Sequence, residues 1–261
     1  MQKVRPKKHL GQHFLVDQQI AKNIVDLVAL PENTTEVLEI GPGMGVLTQY
    51  LVRDPRCQLS VIDIDAESIA YLQAHFPALA GKIIQADFLK VNLGDLFGAK
   101  LSIIGNFPYN ISSQIFFKVL EHRQQVREVV CMLQKEVAER IAAPPGSKVY
   151  GILSVLLQAF YRIEYKFTVP PHVFDPPPKV NSGVIRLERN QTPTLDCDER
   201  KFFEVVKMSF ATRRKTLRNC LKPYHLPESV TQQQLFDRRA ETLSVADFIH
   251  LTKMVQAHQN T

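Results

Sequence analysis

Short apolar runs alternate with helical patterns through the first two-thirds of this chain. The runs Val37–Ile40, Leu59–Ile62, Lys82–Ala86, Leu101–Ile104 and Glu128–Leu133 predict strands. Helical spacing covers Val46–Val52, Glu67–Phe76 and Ser112–His122 between them. An earlier helix is predicted from Asp17, a good N-cap, to about Leu30, because Ile20, Ile24, Leu27 and Val28 fall at i, i+4, i+7 and i+8. This alternation predicts an α/β fold, a mostly parallel sheet with helices on both faces. After Gln134 the pattern gives a helix to about Ala142, a turn at Pro144-Pro145-Gly146 and another helix from Gly151. Residues 161–169 and 183–187 predict two final strands joined by the Pro-rich loop Pro170–Pro178. From Asp196 onward the pattern is helical only, and Ser244 with Asp247 has capping-box spacing. A domain of residues 1–190 is therefore expected, followed by a small all-helical domain of residues 191–261.

Charge changes this picture by its placement. Of the net +6, residues 1–16 contribute +4 through Lys3, Arg5, Lys7 and Lys8, and residues 200–225 contribute +7, leaving the remainder acidic. Arg213, Arg214, Lys215 and Arg218 gather at the end of an apolar stripe formed by Phe202, Val205, Val206 and Phe210. Such clusters suit a polyanion, although basic residues at a helix end also complement its dipole. The N-terminus has no apolar signal region and no run is long enough for a membrane span, so a cytoplasmic protein is expected. Cys57, Cys131, Cys197 and Cys220 are widely separated, with no C-x-x-C pair, so neither zinc nor a disulfide framework is indicated.

The candidate chemistry sits at the predicted strand ends. Gly41, Gly43 and Gly45 follow the first strand of the alternating series and open a helix, a pattern that lets backbone approach a ligand. Asp63 at the next strand end suits a ribose diol, with Asp65 as its competitor, and Asp87 follows at the third. NAD and S-adenosylmethionine both satisfy these three signals. Asn106-Phe107-Pro108-Tyr109, after the fourth strand, separates them. It offers a carboxamide, a backbone carbonyl and a ring where hydride transfer usually needs a positioned acid or base. The Asn106 side-chain oxygen and the Pro108 carbonyl can accept from the two hydrogens of an exocyclic amine, freeing its lone pair for attack on a methyl group, while Tyr109 stacks on the base.

Residues 7–16, the glycine turn, Asn106–Tyr109 and the stretch Phe174–Ser182 together resemble the KsgA (RsmA) family of small-subunit rRNA adenine dimethyltransferases, relatives of the Erm enzymes. The resemblance spans about Lys7 to Leu251. It implies a class I S-adenosylmethionine-dependent methyltransferase, Rossmann-like with a seven-stranded mostly parallel sheet, and a helical C-terminal domain that binds rRNA. It also implies dimethylation of two adjacent adenosines in a hairpin near the 3′ end of 16S rRNA, by a monomer without metal. Carried over by position, His13 and Leu15 would contact the cofactor and Gly41 its methionine portion. Asp63 would hold the ribose, Asp87 the adenine amine, and Phe174 would stack on the target base opposite Tyr109. Lys7, Lys8, Arg213, Arg214, Lys215 and Arg218 would contact RNA. Many members carry Asn at the position of His13, Glu at Asp63 and Leu at Phe107; Phe107 is expected to pack inward. A large-subunit rRNA or DNA adenine methyltransferase, and a non-enzymatic ribosome-assembly factor on the same fold, remain the alternatives.

Overall fold

The computed structural model describes residues 4–31, 34–212 and 214–258. The first strand is short, β1 (Phe14–Leu15), followed by α1 (Gln18–Val25). Asp17 caps this helix by accepting from the Ile20 N–H at 2.9 Å, but the helix stops well before Leu30. Then β2 (Thr35–Ile40), α2 (Thr48–Leu51), β3 (Cys57–Asp63), α3 (Ala66–His75), β4 (Ile83–Gln85), α4 (Leu93–Leu96), β5 (Leu101–Asn106), α5 (Ser112–Glu121) and β6 (Val126–Gln134) alternate as expected. After α6 (Lys135–Ala142) and α7 (Ile152–Gln158) come β7 (Tyr161–Val169), β8 (Phe174–Asp175) and β9 (Ser182–Arg189). The remaining helices are α8 (Glu199–Phe210), α9 (Leu217–Cys220), α10 (Glu228–Thr231) and α11 (Val245–Ala257).

Seven strands form one sheet in the order β4-β3-β2-β5-β6-β9-β7. The pairs β2–β3, β3–β4, β2–β5 and β5–β6 are parallel, and β9 runs antiparallel to β6. Successive crossovers run outward from β2 to β4, and the chain then returns to the other side of β2 as β5. Loops leaving β2 and β5 therefore diverge, opening a crevice at their carboxyl ends. Central strands are buried on both faces, which is why they read as continuous apolar runs. Val37, Val61, Ile104, Val130 and Met132 from the sheet join Ile24, Leu51 and Leu72 from the helices in one apolar cluster.

Inside this layer sits a buried charge. Glu128 on β6 is 2% exposed. Its carboxylate accepts from the Arg186 guanidinium at 2.7 Å, the Ala29 N–H at 3.0 Å and the Ser102 hydroxyl at 3.3 Å. One carboxylate thus links β5, β6, β9 and the chain after α1, and each buried lone pair has a donor.

The contacts divide the chain into two compact units, residues 1–138 with 162–189 and residues 139–161 with 190–261. A boundary at 190 alone assigns residues 139–161 to the sheet domain, whereas they pack with the C-terminal helices. In this second unit α7 and α11 pack on α8. The α8 stripe of Phe202, Val205, Val206 and Phe210 is buried, and Phe210 lies 6.3 Å from Tyr150 and 5.9 Å from Phe248 between ring centroids. The Gly146 N–H donates to the Glu241 carbonyl at 2.7 Å and the Asn190 N–H to Phe160 at 3.0 Å, which fastens the inserted segment. A crossover between two strands ordinarily covers its own sheet, so periodicity gave no sign of this membership. Ser244 and Asp247 form the expected capping box on α11.

Replacing Glu128 by Ala should destabilise the sheet unit by roughly 3 kcal/mol, since it strands the half-buried Arg186 and an amide donor. Urea unfolding of the variant and the wild type measures this; equal midpoints would contradict it.

Candidate active site

The crevice at the carboxyl edge is lined by Gly41 and Gly43 after β2, Asp63 and Ile64 after β3, Asp87 after β4, and Asn106–Ile111 after β5, with residues 10–14 on the remaining side. Four strand ends and the N-terminal segment thus meet around one cavity. The three turn glycines do different work. Gly41 has φ +65°, and a side chain there would meet only the Asn106 carbonyl, at 3.9 Å, so its missing Cβ leaves room for a ligand. A Cβ on Gly43 would collide with the Phe14 ring at 2.8 Å, and one on Gly45 with the Phe76 ring at 2.5 Å. Gly45 is absent from the crevice lining and serves helix packing instead.

Asp63 and Asp65 differ in their partners. Asp65 caps α3 through the Glu67 N–H at 3.1 Å. It also accepts from Gln12 Nε2 at 3.0 Å and the Ser68 hydroxyl at 3.4 Å, and it is ion-paired with Lys7. Burial works to raise this carboxyl, but the bonds from Lys7 and Gln12 outweigh it and hold Asp65 below the usual carboxylate range. Asp63 lines the crevice itself. Burial pushes its carboxyl up, only partly offset by the Asp65 and Gly43 backbone N–H groups.

Lys7 therefore belongs to a clasp. Its ammonium also lies 3.1 Å from Glu67, while its backbone N–H donates to Gln12 Oε1 at 2.8 Å. These bonds tie residues 7–12 to the start of α3, beside Asp63. Gln12 carried no expectation of its own, since nothing in its spacing marks it as the bridge.

Asn106 is oriented by the same segment. Its Nδ2 donates to the His13 carbonyl at 2.8 Å, which assigns Oδ1 as the acceptor in the crevice. The Pro108 carbonyl accepts from the Ile111 N–H at 3.2 Å and keeps a second lone pair. Tyr109 and the Ser182 hydroxyl are 2.6 Å apart, which fixes the phenol; burial raises the Tyr109 pKa. Phe107 turns inward, 1% exposed, edge-on to Phe116 at 5.9 Å between ring centroids. Asp87 accepts from the Leu89 N–H at 3.0 Å, so it shapes its loop while lining the cavity.

One expected site residue lies away from the crevice. Phe174 does not line the crevice: it is 4% exposed, paired across β1–β8 with Leu15 and packed in the apolar cluster. The two-residue strands β1 and β8 are too short to show a period, so this pairing had no sequence signal. The His13 ring lies 5.5 Å from that of Tyr109 between centroids, and its Nδ1 donates to the Pro176 carbonyl at 2.8 Å. Leu15 lines a small adjoining cavity with Glu39, Gly41, Pro42 and Asn106.

Of the basic residues, Lys8 is exposed and Arg213 lies outside the described residues. Helix α8 ends at Phe210, so Arg214 and Lys215 fall beyond it, while Arg218 lies in the last turn of α9, where it also complements that helix's dipole. Arg214 and Lys215 are exposed, whereas Arg218 is 2.7 Å from Asp237 and donates to the Thr231 carbonyl at 3.0 Å. Among the described residues no cluster of His, Cys, Asp and Glu could hold a metal ion, and no helix is long and apolar enough to cross a membrane.

A strand order that reverses at β2, a glycine turn with an acid at the next strand end, and an Asn-x-Pro-Tyr wall define a class I Rossmann-like methyltransferase. The solved structures agree on the fold. A dimethyladenosine transferase from Plasmodium falciparum superposes with TM-score 0.77 at 24% identity, covering 95% of this chain and 98% of that one. The 23S rRNA methyltransferase ErmE gives 0.72 at 23% identity, covering 93% and 99%. Residues 3–257 match the ribosomal RNA adenine dimethylase family, and the chain belongs to that family. Among its relatives, "Ribosomal RNA small subunit methyltransferase A" of Cytophaga hutchinsonii is 60% identical over 98% of this chain and 99% of its own length. The protein of the same name from Flavobacterium johnsoniae is 55% identical over 98% of each.

Glu39 supports the glycine turn from below. It is 1% exposed and accepts from the Thr48 hydroxyl at 2.6 Å. Burial raises its carboxyl to about 7, with the Thr48 bond opposing and the Asp63 charge adding. The folded protein then keeps a proton that the unfolded chain releases near the ordinary Glu value, so stability falls as pH rises toward 7. Replacing Glu39 by Gln should raise Tm relative to wild type more at pH 8 than at pH 5. A difference that does not change with pH would rule out the buried proton.

Proposed function

We propose that this protein dimethylates the N6 amines of two adjacent adenosines in a hairpin near the 3′ end of small-subunit 16S rRNA, using S-adenosylmethionine, as a cytoplasmic monomer. The observation that carries the reading is the orientation of Asn106. One Nδ2 hydrogen is held by the His13 carbonyl, which leaves Oδ1 as the acceptor able to hold an amine hydrogen. Membership of the adenine dimethylase family and the small-subunit names of its relatives support the substrate.

The residues present fit the cofactor. Gly41 leaves open space at the turn, Asp63 supplies acceptors for a ribose diol, and Asp87 supplies one for an adenine amine. Leu15, Gly43 and the backbone of His13 complete that side. When bound, S-adenosylmethionine supplies an electrophilic methyl group on sulfonium.

The chain's own work is mostly placement. Asn106 Oδ1 and the Pro108 carbonyl accept from the two amine hydrogens, which favours a pyramidal nitrogen with its lone pair directed outward. Tyr109, held by Ser182, offers a ring face to the base, a contact worth roughly 1–3 kcal/mol. The base must be unpaired or extruded to reach this wall, as a loop adenosine is. No side chain is needed to remove a proton beforehand, since the amine becomes acidic once methylated. Orientation and the paired acceptors thus provide the rate enhancement.

Replacing Asn106 by Ala should lower methylation of unmethylated small subunits by at least about a hundredfold, the scale for losing one oriented polar group at a reacting centre, while small-subunit binding persists. Transfer of labelled methyl groups with mapping of the modified base checks this; wild-type turnover would remove Asn106 from the mechanism, and label on large subunits or DNA would change the substrate. The exposed Arg214 and Lys215 contact phosphate in this reading. Reversing both to Glu should weaken small-subunit binding and reduce the slope of affinity against salt by about one per lost contact. An unaltered slope would exclude them from the interface.

A further inference from the structure

Beside the target crevice lies a second cavity of about 240 Å³, lined by Pro6, Lys8, Gly11, Gln12, His13 and Pro176. It holds several times the roughly 30 Å³ that a water molecule occupies. Gly11, Gln12 and His13 line both cavities, so the two share a wall. That wall is rigid. Gly11 adopts φ +65°, and a side chain there would meet Asn110 Oδ1 at 2.8 Å, so its backbone lies close against the residue following Tyr109. Gln12 is fixed by Asp65 and His13 by the Pro176 carbonyl.

The adjacent lysines differ in commitment. Lys7 is ion-paired with Asp65 and Glu67, whereas Lys8 is exposed and in no ion pair among the described residues. Lys8 is the lysine of this lining, which it shares with the apolar rings of Pro6 and Pro176. The first crevice offers Asp63 and Asp87, which repel phosphate; the second offers an ammonium.

We propose that this second cavity is a subsite for the sugar-phosphate of the nucleotide next to the adenosine being methylated, with Lys8 on its phosphate. The proposal rests on the reading of the Asn106–Tyr109 wall as the target-base site. A neighbour held one nucleotide away fixes the backbone of the target and sets which of two consecutive adenosines faces Asn106. Pairing a buried base site with a cationic site outside it separates recognition of the base from neutralisation of the backbone.

The test uses isotope-labelled full-length protein saturated with S-adenosylhomocysteine, so that the cofactor's own adenosine site is filled. Amide shifts are followed by NMR on titration with adenosine, with the dinucleotide ApA, and with ApA carrying a neutral methylphosphonate link. ApA should bind about fivefold more tightly than adenosine, the upper end for an exposed charge pair, and shift the Lys8 and Gln12 amides along with those of Tyr109 and Asn110. Lys8→Ala and the neutral link should each remove that advantage. If ApA binds no better than adenosine, or its advantage survives Lys8→Ala, while Tyr109 and Asn110 still shift, the subsite is wrong and the target-base reading stands. If neither ligand shifts Tyr109 or Asn110, the target-base reading fails and the subsite with it.

Discussion

The constraint on which the site depends is the reversal of strand order at β2. Crossovers in a parallel sheet run with one hand, so a chain that first moves from β2 to β3 and later returns as β5 must cover opposite faces of the sheet. The loops after β2 and β5 then part, and nothing in the sheet fills the gap. Gly41 and Asn106 lie on its two sides because the register places Glu39 beside Ile104, and each lies two residues further along its own segment. Asp63 and Asp87 extend the same edge outward. A cavity bounded by four strand ends is thus a topological product, and the side chains decide only what it holds.

Left to the sheet alone, that crevice would be open on one side. The N-terminal segment closes it by bonds that are individually modest and collectively directional. Asp65 is the hub: it begins α3, holds Lys7 and Gln12, and sits two residues from Asp63. Exposed ion pairs contribute little, but the carboxylate side chain of Asp65 is buried and each oxygen has defined donors. The segment then lays the His13 carbonyl against Asn106 and pairs Leu15 with Phe174. The acceptor geometry of Asn106 is therefore set by residues ninety positions earlier in the chain, through a backbone atom that carries no sequence identity.

This explains what could be read from the residues and what could not. The central sheet strands were legible because two-sided burial forces long apolar runs, and the strand-end residues were legible because topology puts ligands there. Asp63 and Asp65 could not be separated by spacing, since both follow the same strand; only the bonding of Lys7 and Gln12 distinguishes them. Phe174 was expected at the base because of its motif, yet its apolar ring is more stably buried beside Leu15 in this conformation. The membership of residues 139–161 in the helical unit was hidden for a similar reason. A helix pattern records which face is apolar, never which neighbour covers it.

The electrostatics of the crevice impose a further order on its use. Glu39, Asp63 and Asp87 place three carboxyl groups in or beneath it, and Asn106 adds an oxygen. Such a lining favours groups that donate hydrogen bonds or carry positive charge, as amines, hydroxyls and sulfonium do, and penalises phosphate. A neutral base suits such a lining better than a phosphate does. Among the described residues that line the crevice there is no lysine or arginine: Lys7 is tied to Asp65, Lys90 lies 3.7 Å from Asp87, and Lys8 lines the adjoining cavity. Acid within and a lysine just outside form an arrangement that favours a neutral or cationic group in the crevice and an anion beside it.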